Sequence, residues 1–145
     1  KTLAANTALV KHVRFHKELL GNKEDEYRCI VYHQTWGKPN RGNGWVVAYS
    51  PRLKQLDCMY SMTLKSLQAT WNSETEHVFA LKIDVEGWEA FVLEGAGESF
   101  LNDLPCFIWV EIWEQDNKYE GSVATPSGLT IQSWLEKHGY KAVKR

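Results

Sequence analysis

Between Val78 and Ala96 the period of the hydrophobic pattern changes. Val78 to Ile83 is an apolar run interrupted only by Lys82. It ends in Asp84-Val85-Glu86-Gly87. From Gly87 onward Trp88, Phe91 and Val92 recur at helical spacing, with Gly95 one turn further on. A two-residue period belongs to strands and a 3.6-residue period to helices. The stretch therefore predicts a buried strand that runs straight into a helix and presents carboxylates at the junction. Open α/β sheets place their ligands at such strand ends.

The same reading places elements on either side. Asn6 predicts a helix N-cap, with Leu9, Val10, Val13 and Leu20 on one face and Gly21 as the stop. A strand is expected over residues 28–34, and a second short one from Trp45 to Tyr49. The turn formers between them, Gly37 to Gly44, predict a loop. They resemble a phosphate cradle in composition only, because the Gly-Lys-Ser/Thr ending and a following helix are missing. Thr63 is expected to cap a short helix carrying Leu64 and Leu67. Phe107 to Val110 predicts an apolar strand ending at Glu111. Residues 114–126 read as polar loop. A last helix is expected to open at Ser127, to turn Ile131, Trp134 and Leu135 inward and to end at Gly139, with one more strand from Tyr140 to Val143. Strands that are apolar throughout and alternate with helices argue for a mostly parallel sheet covered on both faces.

With 145 residues the chain can build one core but not two, so residues 1–145 are read as a single domain. A formal charge of -1 generates no field that would recruit nucleic acid or an anionic membrane. No apolar run approaches the roughly 20 residues of a membrane span. Lys1-Thr2-Leu3-Ala4-Ala5 has neither an initiator Met nor the apolar centre of a signal peptide and reads as a processed or truncated start. Cys29, Cys58 and Cys106 are odd in number and lack CxxC spacing, so buried reduced thiols in an intracellular, cytoplasmic protein are expected. The five histidines are scattered, which offers no zinc set. His12 and His16 stand at helical spacing and are read as surface polar residues of an amphipathic helix.

The acidic junction carries the chemistry. Lys82 and Asp84 point to one face of the strand and Ile83 to the other. A lysine in a buried strand needs a counter-charge, and Glu111 at the end of the next strand is the expected partner. Helix-dipole stabilisation accounts for Glu86 or Glu89 taken alone but less well for Asp84, which belongs to the strand end. Asp84 and Glu86 are thus the candidate catalytic pair, able to act as a general base, as ligands for a hard cation or as acceptors for a substrate hydroxyl. Lys82, Glu111 and Gly87 are their structural support.

Leu81-Lys82-Ile83-Asp84-Val85-Glu86-Gly87, followed by Glu89, Val92-Leu93 and Gly95-Ala96, resembles the signature segment of the FkbM-type methyltransferase family. Thr63-Leu64 with Leu67, Phe107 to Glu111, and Gly139-Tyr140 resemble that family's flanking stretches. The likeness spans roughly residues 60 to 143 and, more loosely, residues 1 to 22. It implies a Rossmann-like class I methyltransferase sheet that lacks its first strand or strands in this chain. The cofactor it implies is S-adenosylmethionine. The acceptor it implies is a small molecule or sugar hydroxyl. The family's glycine-rich cofactor loop does not occur in the sequence; its place would be upstream of Lys1. Ala4 and Ala5 stand where an acidic ribose ligand is usual, leaving Asn6 as the cofactor-binding candidate. A divalent metal is conceivable for the acid pair, but nothing in the pattern supports one.

Three functions are weighed on these grounds. The first is an O-methyltransferase. The second is a methyltransferase-like scaffold without catalysis, serving as an interaction subunit, if Trp36, Trp45 or Trp71 is exposed. The third is a metal-dependent hydrolase that uses the same acids. The absent first strand also predicts that something covers the free edge of the Val78–Ile83 strand. An upstream segment or a second copy in a homo-oligomer would do so, because bare apolar edges template aggregation.

Overall fold

A computed structural model describes residues 14, 16–35, 38–52, 57–70, 77–112, 125, 127–141 and 143. Its strands are β1 (Leu19–Leu20), β2 (Tyr27–Thr35), β3 (Lys38–Ala48), β4 (Asp57–Met62), β5 (Ala80–Ile83) and β6 (Phe107–Val110). Its helices are α1 (Leu64–Gln68), α2 (Glu89–Glu94), α3 (Gly97–Leu101) and α4 (Ile131–Lys137).

The fold is mixed α/β, and its strands form two sheets among the described residues. One has the order β1-β4-β2-β3, with β1 parallel to β4 and the other two pairings antiparallel. The second is the parallel pair β5-β6, with Lys82 opposite Trp109 and Ile83 opposite Val110. The expectation of a mostly parallel sheet is corrected by the β2–β3 hairpin. Residues expected to form a loop, from Lys38 to Gly44, instead continue β3 and pair back along β2. The register jumps from Tyr32↔Gly44 to His33↔Asn40, so β3 carries extra residues there as a bulge. The bulge lets turn-forming residues sit in a strand, which composition alone does not reveal.

The core lies where α2 meets the β5–β6 sheet. Ile83, Trp88, Phe91, Val92, Leu93 and Phe100 are all at most 4% exposed, joined by Ile131 and Trp134 from α4. Each large apolar side chain removed from water contributes roughly 1.5–3 kcal/mol. Alternation along β5 and β6 turns Leu81, Ile83, Ile108 and Val110 to this core and leaves Phe107 and Trp109 on the opposite face, more than 60% exposed. Helical cover is thus on one face of this sheet among the described residues, not on both as expected.

Short helices here depend on their ends. Thr63 caps α1, its Oγ1 accepting from Ser66 N. The last helix opens at Thr130 rather than Ser127, with a reciprocal Thr130/Ser133 capping box. Gly95 ends α2 against Gly21, and a Cβ on Gly95 would lie 2.1 Å from Gly21 O. Only glycine permits that approach. It also lets Gly95 O accept from Lys65 N, tying α2 to α1.

Other sequence expectations change. Leu19–Leu20 is a strand and residues 14 and 16–18 are not helical, which corrects the helix expected to run to Gly21; Asn6 itself lies outside the described residues, as do Ala4, Ala5, Trp36 and Trp71. Most of the polar 114–126 stretch lies outside them too. Tyr140 and Lys141 are not in a strand. Cys29 and Cys58 are not free thiols: they occupy paired positions on β2 and β4 and form a disulfide. Cys106 is free but exposed rather than buried. Cross-strand register brought the first two together, and spacing along the chain carries no trace of it. No helix among the described residues is long and apolar enough to cross a membrane.

Candidate active site

β5 leaves the core at Ile83 and hands the chain to the turn 84–87. Glu86 has φ +52° and Gly87 φ +94°, two successive residues in the left-handed region. For glutamate that conformation costs roughly 1–2 kcal/mol, whereas glycine enters it freely. The turn therefore needs an external restraint, and Glu89 in the first turn of α2 supplies one. Its side chain is 1% exposed. Its Oε1 accepts from both Val85 N and Gly87 N at 3.2 Å. Its Oε2 is buried with no hydrogen-bond partner among the described residues. Burial raises the Glu89 carboxyl above its ordinary value against the pull of those backbone bonds, and the nearby Glu111 charge adds to the rise.

Asp84, Val85 and Glu86 form one lip of a cleft of about 320 Å³. The opposite wall comes from the first sheet: Leu19 of β1, Ile30 and Tyr32 of β2, and Gly44 and Val46 of β3. The cleft is within the size of small-molecule sites, and an apolar wall facing a few acids is their usual composition. Gly44 belongs to the hairpin wall and not to a phosphate cradle. A Cβ there would come within 2.8 Å of both Ile30 Cγ2 and Tyr32 Cδ1. Tyr32 directs its hydroxyl to Asp57 Oδ2 at 2.8 Å.

The candidate residues from the sequence divide into two groups. Asp84 is exposed and Glu86 half-buried, and the two share the cleft. Lys82 does not pair with Glu111. It is 65% exposed and donates at 2.6 Å to Oδ2 of Asp84, the residue just past the end of β5. The expectation failed because Lys82 lies on the exposed face of the β5–β6 sheet, where a charge needs no buried partner. Glu111 stands at the exposed end of β6, near Glu89. Gly87 is buried within the turn. The helix dipole, which the sequence offers as a sufficient reason for Glu89, does not describe what this side chain does. The position of Glu89 five residues after Asp84, at the first residue of a helix of core residues, is the available sign that it points inward.

Among the described residues no group of three or more His, Cys, Asp or Glu side chains is placed to hold a metal ion. His77 pairs with Asp103 at 2.8 Å, and His138 bonds Trp134 O within its own helix; neither lines the cleft.

A family model described as the methyltransferase FkbM domain matches residues 59–142. No curated protein and no solved structure matches the chain. The matched stretch takes in most of β4, all of α1, β5, the acidic turn, α2, α3, β6 and α4, which is more than half of the chain. The chain therefore belongs to the FkbM methyltransferase family.

Proposed function

We propose that this chain forms the acceptor-side part of an S-adenosylmethionine-dependent O-methyltransferase domain with a Rossmann-like sheet, acting on a hydroxyl of a small molecule or sugar. The observation that carries the reading is the delivery of Asp84 and Glu86 by a parallel strand to the lip of a small cleft. When bound, the cofactor supplies a methyl group already activated on a sulfonium, so the protein's share of the work is positioning. The residues described here suit one end of such a cofactor, because carboxylates at the cleft favour a cation. A glycine-rich turn for its amino-acid end is not among them.

In this reading Asp84 accepts the acceptor's hydroxyl hydrogen bond, with Lys82 holding one of its oxygens and fixing its rotamer. Glu86 would accept the proton of that hydroxyl and pass it to water, while a bound cofactor would supply the methyl group and leave as the neutral thioether. Removing a general base lowers turnover on the order of 10²–10⁴-fold. The test is isothermal titration of the whole protein with S-adenosylmethionine, followed by transfer of labelled methyl in Glu86→Gln and Asp84→Asn. Heat of binding, with transfer lost in both variants, is the expected result. No binding by the whole protein rejects an active enzyme.

A second reading, the scaffold without catalysis, draws on the exposed Phe79, Phe107 and Trp109 around the β5–β6 sheet. Contiguous exposed aromatics mark interaction surfaces. The edge of β5 away from β6 pairs with no described strand, which supports a covering segment or a second copy there. An intracellular location, expected from free thiols, is disfavoured by the Cys29–Cys58 disulfide, which suits an oxidising compartment.

A further inference from the structure

We propose that Glu89 is the positioning residue of this site: a single buried oxygen of its side chain sets the 84–87 turn and so aims Asp84 and Glu86 into the cleft. The inference rests on those two acids being the working groups, but its test reads the turn directly.

The two amides that converge on Glu89 Oε1, those of Val85 and Gly87, bracket Glu86 at its left-handed φ. Opening both bonds would free the strained residue to relax and carry its carboxylate away from the cleft. The oxygen itself has little freedom to follow. Glu89 is packed at 1% exposure, and the α2 residues after it, Ala90 to Leu93, are at most 2% exposed. The turn is therefore referenced to the most rigid part of the core. Trp88, the residue before the helix, makes no side-chain cap of its own.

Two simpler roles for a buried glutamate make different predictions. If Glu89 only fills space, methionine replaces it, since its length is similar. If only its charge matters to the helix start, glutamine fails as completely as methionine. If Oε1 matters as an acceptor, glutamine serves and methionine does not. The direction of the carboxyl's shift agrees with the last case, because a neutral acid and an amide offer the same kind of oxygen.

The experiment is amide hydrogen exchange by NMR on the full chain as wild type, Glu89→Gln and Glu89→Met. Methionine is expected to speed exchange at Val85 and Gly87 by about tenfold or more, while Val92 and Gly95, bonded within α2, stay protected. Glutamine is expected to keep the protection and to move the Val85 and Gly87 amide-proton resonances, whose acceptor has changed. Retained protection in the methionine variant overturns the proposal, and so does lost protection in the glutamine variant. Should the methionine variant not fold, the glutamine spectrum decides: unmoved Val85 and Gly87 resonances overturn it. None of these readings needs cofactor or acceptor, so they stand apart from whether methyl transfer occurs.

Discussion

Three donors converge on Glu94: Asn22 Nδ2 on Oε2 at 2.6 Å, Thr125 Oγ1 on Oε1 at 2.8 Å, and Ser127 Oγ, also on Oε1. They join segments more than 100 residues apart in the chain to the last residue of α2. Burial pushes this carboxyl up, but the bonds from Ser127, Thr125 and Asn22, with the Lys23 charge, outweigh it and hold the group below its ordinary value of 4.5. A lowered acid stabilises the fold above that value and loses its contribution as pH falls through the folded-state value. Glu94→Ala should therefore cost about 1.5–3 kcal/mol near pH 7 and clearly less below pH ~4 in paired urea denaturations. Glu89 has the opposite sign. Its raised carboxyl favours the fold fully below 4.5, and that favour is lost as pH rises through the folded-state value. Glu89→Gln should thus flatten the pH dependence of stability and raise the urea midpoint at neutral and alkaline pH. A variant midpoint below wild type at pH 8 would contradict this.

At the scale of elements, the helices around the cleft are short and depend on close contacts at their ends. The approach of Gly95 to Gly21 O leaves no space for a methyl group, and the atom in the way is backbone. Gly95→Ala must separate α2 from the strand-end loop, at a cost of about 1–3 kcal/mol or more by thermal unfolding. Thr63 at the start of α1 accepts from Ser66 N and also donates to Glu24 Oε1 at 2.5 Å. Thr63→Ala should lose roughly 1 kcal/mol, and Thr63→Ser should recover most of it. The β5–turn–α2 unit was legible in the sequence because both of its periods, two and then 3.6, are local. β6 and the Thr63 cap were legible for the same reason. β1, β4 and α3 were not read: the first two are defined by pairing with distant strands, and α3 is too short to display a period.

At the scale of the molecule, the disulfide Cys29–Cys58 joins β2 to β4 across 29 residues of chain and fixes the sheet that walls the cleft. Cys29→Ala with Cys58→Ala, or reduction, should cost about 2–4 kcal/mol, seen as a lower denaturant midpoint under reducing conditions. An unchanged midpoint would mean that strand pairing alone holds the wall.

The alternation of periods from Thr63 to Leu135 was enough by itself to predict alternating strands and helices and an acidic strand end at the centre, and the residues of that acid-glycine junction carried the resemblance to the family. What the linear order could not contain was decided by the tertiary structure. Hairpin register turned a glycine-rich loop into the wall of a cleft and brought two cysteines together. The exposed face of β5 gave Lys82 to Asp84 instead of Glu111, and burial made Glu89 the anchor of the turn. The reason is range: a periodic pattern reports which face of one element is apolar, whereas a partner's identity depends on segments that meet only when the chain is folded.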